Sequence, residues 1–242
     1  MRKIIRVRNL EYVYPDGTKA LKGIDLDVFR GESVGLIGPN GAGKSTLLLH
    51  LNGIIRGRQG SVEVLGMKVE EKNLIKIRQK VAIVFQEPDD QLFMPTVFDD
   101  VAFGPINAGY SEENVREKVK EALEGIRMEG YEKRCSHHLS FGEKKRISLA
   151  TVLSMQPEIL ILDEPTSNLD PRARRHLMEL LKNFSLTKIV AGHDLELILA
   201  ICQRVILLDE GKIVANGDAR GILSDKSLME SHGLELPLSL AA

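Results

Sequence analysis

The chain has 242 residues, enough for one large domain or one domain with a smaller lobe, and no metal or disulfide is needed to hold it at this length. Its 33 basic and 34 acidic residues leave a net charge of −1, which excludes the basic footprint of a nucleic-acid-binding protein. Cys135 and Cys202 stand alone with no C-x-x-C around either, and both are expected as buried thiols in a reducing compartment.

The first residues, Met1-Arg2-Lys3-Ile4-Ile5, turn polar at once, so no signal peptide is expected there. Further on, Ile24, Leu26 and Val28 alternate with Asp25 and Asp27, the pattern of a half-buried antiparallel strand. Ser33–Ile37 reads as a short buried strand, as do 81–85, 159–162, 188–191 and 205–208. Apolar on both faces, these suit a central sheet covered by helices, and the alternation of strands with helices predicts an α/β fold. Between Pro88 and Pro157 the strand signals stop. There 111–126 places Val115, Val119, Leu123 and Ile126 on one helical face, and a second helix spans 140–155. A mainly helical insert over 88–157 is expected inside a single domain of residues 1–242, with a short helical tail over 218–242. Asp170-Pro171 opens a further helix with an N-cap and a proline at its first position; Leu177, Leu180, Leu181 and Phe184 supply its buried stripe. No apolar run reaches the roughly 18 residues of a membrane-spanning helix.

Gly38-Pro39-Asn40-Gly41-Ala42-Gly43-Lys44-Ser45-Thr46 follows the 33–37 strand and precedes the helical run 47–51. This is the phosphate-binding pattern G-x-x-x-x-G-K-S/T in the context it requires. Its glycines let backbone N–H groups converge on phosphate oxygens at a helix N-terminus. Lys44 is expected to reach the β and γ phosphates of a nucleotide, and the Ser45 hydroxyl to ligate Mg²⁺. Asp163 and Glu164 close the 159–162 strand. An Asp at such a strand end holds the Mg²⁺, and the carboxylate beside it can polarise a water for attack on the γ-phosphate. Gln86 and His193 also follow strands, at the edge where ligands bind in open α/β sheets. Ser140-Phe141-Gly142-Glu143 carries a capping box, which serves equally well as plain helix capping or as a helix N-terminus receiving an anion.

The order of these motifs resembles the ABC ATPase family over essentially the whole chain: the phosphate loop, Gln86, Leu139-Ser140-Phe141-Gly142-Glu143, 159–164, Ser167-Asn168-Leu169-Asp170 and His193. The resemblance implies a P-loop NTPase core with an antiparallel β N-terminal part and an inserted α-helical subdomain. It implies a head-to-tail dimer with an identical or paralogous subunit, in which ATP lies between one subunit's phosphate loop and the other's Ser140-Gly142 helix, with Glu143 beside it. Tyr14 resembles the aromatic that stacks on adenine, Glu164 the catalytic base and His193 the γ-phosphate contact. Gln86 resembles the residue linking nucleotide and metal to a membrane partner. The segment Glu87-Pro88-Asp89-Asp90-Gln91-Leu92-Phe93, the run 96–105 and Gly233-Leu234-Glu235-Leu236-Pro237 resemble, more narrowly, the ATPases of energy-coupling-factor importers for cobalt, nickel or vitamins. That resemblance implies a transmembrane scaffold subunit, an integral substrate-binding subunit and a peripheral place on the cytoplasmic face of the membrane. The same motifs also resemble ATPases of other ABC importers and exporters, and iron–sulfur assembly subunits. Phe141 stands where the family has a second glycine, Glu143 where it has glutamine, and Glu87 where the importer branch often has Asn.

Overall fold

A computed structural model describes residues 2–57 and 59–241; Met1 and Ala242, the ends of the expected domain, lie outside the described residues. Strands β1 (Lys3–Val13), β2 (Lys19–Phe29), β3 (Ser33–Ile37) and helix α1 (Lys44–Asn52) come first. Next come β4 (Gln59–Val64), β5 (Met67–Lys68), α2 (Leu74–Lys80) and β6 (Val81–Val84). Helices α3 (Val97–Asn107), α4 (Glu112–Gly125) and α5 (Phe141–Leu153) lead to β7 (Ile159–Asp163) and α6 (Pro171–Asn183). The chain continues through β8 (Thr187–Ala191), α7 (Leu195–Ile201), β9 (Arg204–Asp209) and β10 (Lys212–Asp218) to α8 (Ala219–Ser224) and α9 (Lys226–Ser231).

Two sheets result. A four-stranded antiparallel sheet has the order β2-β1-β4-β5, and a six-stranded sheet has the order β10-β9-β3-β8-β7-β6. In the second, only β10 runs antiparallel to its neighbour. The continuous apolar runs of the central strands have a direct cause, because successive side chains point to opposite faces and both faces are buried. Leu160 and Leu162 of β7 pack with the helices on one side, while Ile159 and Ile161 pack against α1 and the antiparallel sheet on the other. β9 divides in the same way, Val205 and Leu207 to one core, Ile206 and Leu208 to the other.

The segment between β6 and β7 holds α3, α4 and α5 and no strand among the described residues. Helix α4 is capped by Ser111, whose side chain accepts from the Asn114 N–H, and buries Val115, Val119 and Leu123. Each such side chain contributes about 1.5–3 kcal/mol on burial. Asp170 caps α6, accepting from the Arg172 and Ala173 N–H groups. One expectation needs correcting: Cys202 is buried, its thiol pushed up to about 12 by desolvation, but Cys135 is only half-buried. Cys135 lies in a polar loop leading into a 3-10 turn, outside the apolar core that covers Cys202.

Candidate active site

Strand register brings the candidate groups to one edge. Leu36 and Asp163 both pair with Ala191, and Val84 pairs with Leu162. The residues that follow these strands, Gly38, His193, Glu164 and Gln86, therefore emerge side by side at the carboxyl end of the sheet. Tyr14, residues 40–46, Gln86, Asp163 and Glu164 line one cleft of about 310 Å³ there, together with Thr18, Lys19 and Ala20.

The phosphate loop needs glycine at two tight points. A Cβ on Gly38 (φ 149°) would stand 1.9 Å from the Leu208 carbonyl oxygen, and one on Gly43 (φ 104°) 2.5 Å from that of Ala20. At Gly41 (φ 77°) a Cβ would meet nothing within 4 Å, so glycine is favoured there by the left-handed backbone alone. Lys44 is buried, and its Nζ donates to the Gly38 and Pro39 carbonyl oxygens at 2.7 and 3.0 Å. Burial lowers its pKa, opposed by the charges of Glu164 and Asp163. Asp163 moves the other way: burial raises its pKa, while the Ser45 hydroxyl, Lys44 and Lys145 favour the ionised form.

His193 joins three of the candidates. Its Nε2 lies 2.8 Å from Asn40 Oδ1, an arrangement in which Nε2–H donates, and 3.5 Å from both Lys44 Nζ and Glu164 Oε1. Its backbone N–H donates to Glu164 Oε2 at 3.2 Å. Glu164 takes a left-handed conformation (φ 46°) and is fixed on both sides. Its N–H donates to the Ala191 carbonyl, and its own carbonyl accepts from the Ser167 hydroxyl and Lys145 Nζ. The result is a carboxylate held in place at the cleft that the phosphate loop lines.

Tyr14 and the α5 residues also make bonds within the chain. Tyr14 directs its hydroxyl to Thr46 Oγ1 at 2.9 Å, and its ring packs edge-on against Tyr12. The base-stacking face expected of it is thus set by α1 and β1. Ser140 caps α5 in a complete capping box: the Glu143 carboxylate accepts from the Ser140 N–H and Oγ, and also from the Tyr131 hydroxyl. Those bonds hold Glu143 below the usual carboxylate range, Ser140 first and Tyr131 after it, against the opposing pull of burial. Neither Ser140, Gly142 nor Glu143 lines the cleft with the phosphate loop.

Two contributors, Asp194 and Lys145, were not marked by any motif in the sequence. Asp194 accepts from Arg174 Nε and Nη2 at 2.6 Å each and from Thr166 Oγ1 at 2.8 Å, and so anchors the turn behind His193. Burial disfavours its charge, but Arg174, the Leu197 N–H and Thr166 prevail and lower its pKa. Lys145 of α5 is buried with its pKa brought down to about 8 by desolvation. A lysine on the inward stripe of α5, beside Ser148 and Leu149, was the available signal.

Comparisons with known proteins bear on the same features. The ABC transporter family profile matches residues 21–167. The energy-coupling factor transporter ATP-binding protein EcfA of Methanothermobacter thermautotrophicus is 51% identical over 239 residues, covering 97% of this chain and 77% of that protein. The structure of cbiO1 from Clostridium perfringens, part of the ABC transporter complex cbiONQ, matches with a TM-score of 0.84 and 38% identity, over 100% of this chain and 98% of that one. A dimeric ATP-binding cassette in a post-hydrolysis state, bound to ADP and Pi, matches with a TM-score of 0.81 and 28% identity over 90% of this chain and 100% of that one. The fold is thus that of a P-loop NTPase, and the chain belongs to the ABC transporter ATP-binding family as an ATPase of the type found in energy-coupling-factor importers.

Proposed function

We propose that this ATPase energises an energy-coupling-factor importer for a transition-metal ion such as cobalt or nickel, or for a vitamin, through separate membrane subunits. The supporting observation is an apolar surface on the segment that follows Gln86. Phe93 (57% exposed) meets Phe103 edge-to-face at 5.1 Å, Ile106 (58% exposed) follows Phe103 on α3, and Tyr110 is exposed just beyond that helix. Exposed large apolar side chains grouped in this way mark a protein contact. Asp100 stiffens the surface from beneath, its carboxylate accepting from the Phe93 and Met94 N–H groups and from Ser136 Oγ. No helix among the described residues is long and apolar enough to cross a membrane. The patch suits a transmembrane scaffold subunit, which would hold the chain at the cytoplasmic face beside an integral substrate-binding subunit. The binding partner for the second half of the site is another ATPase chain, identical or paralogous.

Within the cleft, Lys44 and the loop N–H groups hold the phosphates of ATP. Ser45, Gln86 and Asp163 offer hydroxyl, amide and carboxylate oxygens, the hard donors Mg²⁺ takes, and a cation would also stabilise the buried Asp163 charge. The bound metal would neutralise charge on the β and γ phosphates. Glu164 orients the attacking water and accepts its proton. His193 holds Nε2 toward the phosphate side, kept there by Asn40 and by its backbone bond to Glu164.

The test is a mild-detergent pull-down of the tagged chain from native membranes, with mass spectrometry of the co-purifying proteins. A multi-spanning scaffold together with a small integral protein is the expected outcome, and that small protein identifies the cargo. Recovery with soluble partners alone would contradict transport as the task.

A further inference from the structure

Lys145 is 2% exposed, and a buried ammonium is costly unless its protons are taken up. Here its Nζ donates to the Gln86 carbonyl at 2.5 Å and to the Glu164 carbonyl at 3.1 Å, and stands 5.7 Å from the centre of the Phe141 ring. The two carbonyls belong to different loops, one after β6 and one after β7, whose strand pairing ends at Val84 and Leu162. Beyond that point Lys145 bridges the loops from a third element, the helix whose first turn carries Ser140 and Gly142. The charges facing it are Glu87, Glu164 and Asp163. Phe141, the departure from the family's second glycine, provides the aromatic side of its pocket.

We propose that Lys145 is a positioning residue for hydrolysis. Its ammonium clamps the Gln86 and Glu164 peptides to α5, so a displacement of the Ser140 helix is delivered both to the loop beside the membrane-partner surface and to the Glu164 carboxylate. Three parts of the site that lie on separate elements then move as one. The inference rests on Glu164 acting as the base.

The test is a graded series in the full chain, reading kcat and KM for ATP alongside nucleotide affinity. Lys145→Met keeps the apolar stem and loses every donor; Lys145→Gln keeps an N–H donor that reaches one carbonyl. The Met variant is expected to lose about 10- to 100-fold in kcat, the scale of an ångström-level misplacement, with KM within about twofold of wild type. The Gln variant is expected to fall between, down about three- to tenfold. A Met variant that binds nucleotide normally and keeps kcat within about twofold would overturn the clamp, as would equal losses in Met and Gln with KM rising in step. Should the Met variant fail to fold, the Gln variant decides alone by the same twofold limit. Glu164→Gln run in parallel separates the two ideas. A flat Lys145 series beside an inactive Glu164→Gln removes the clamp only. Normal turnover in Glu164→Gln removes the base, and a graded Lys145 series then stands as a link between α5 and the Gln86 loop.

Discussion

The phosphate loop and the first turn of α5 are both helix N-termini with small residues and hydroxyls, yet the chain treats them in opposite ways. Around the loop, Lys44, Asn40 and Glu164 each come within 3.5 Å of His193 Nε2, and the cleft collects Ser45 and Asp163 as well. At α5 the polar groups turn inward on their own turn, Ser140 to Glu143 and Glu143 to Tyr131, with no bond to the loop among the described residues. One end is a nucleotide site gathered from a single chain. The other is a helix whose first turn is closed by its own capping box. The proposed function turns the difference into a claim about requirements: on that reading binding needs one chain, and hydrolysis needs the α5 end of a second.

Variants can break or sharpen that contrast. Glu164→Gln should lower hydrolysis by about 10² to 10⁴ while ATP still binds, measured by turnover and by nucleotide displacement. Normal turnover would remove Glu164 from its role. Lys44→Ala should weaken ATP binding by about 10- to 100-fold, the scale of a charge-assisted hydrogen bond, in a titration of the isolated chain. Ser140→Asp keeps an effective N-cap but sets a negative charge where an anion is expected. It should leave single-chain ATP affinity unchanged and depress turnover; weakened single-chain affinity would place α5 in the same-chain site.

The smallest expected effect lies behind His193. Arg174→Ala should cost about 1–3 kcal/mol, discounted toward the low end because the arginine is partly exposed, and read as a Tm drop of about 2–4 °C per kcal/mol. Asp194 has a depressed folded pKa, so its contribution is present above the ordinary carboxylate pKa and fades as pH falls through the folded value. The gap between wild type and Arg174→Ala should therefore be full near neutrality and shrink in acid. A gap independent of pH would mean that the Arg174–Asp194 pair does not stabilise the fold.

Much of this was legible from residues alone where one local rule dominates. The central strands announce themselves because both of their faces are buried, and Asp170-Pro171 marks the start of α6. β1 was not legible: its register shifts between Lys3 and Ile5 and between Val7 and Leu10 break the alternation that signals a strand. β10 carries Asn216-Gly217 at the exposed edge of its sheet, and α3 turns Phe103 and Ile106 outward, so neither shows the usual periodicity. The motif residues of the site could be read in order, but their cross-links could not. Tyr131 reaching Glu143, Arg174 reaching Asp194 and Lys145 reaching two strand-end carbonyls each depend on contacts distant in sequence. Tyr14 shows the same limit, since its bond to Thr46 is set by how β1 lies over α1.

The claim that two chains complete one site is tested most directly by mixing two defective variants. Lys44→Ala spoils the phosphate loop and leaves α5 intact; Ser140→Asp does the reverse. Each alone should hydrolyse ATP poorly beside wild type, and the mixture should regain activity, because one mixed site then pairs an intact loop with an intact α5. A mixture that stays as inactive as its components, with mixed dimers demonstrably present, would contradict the account.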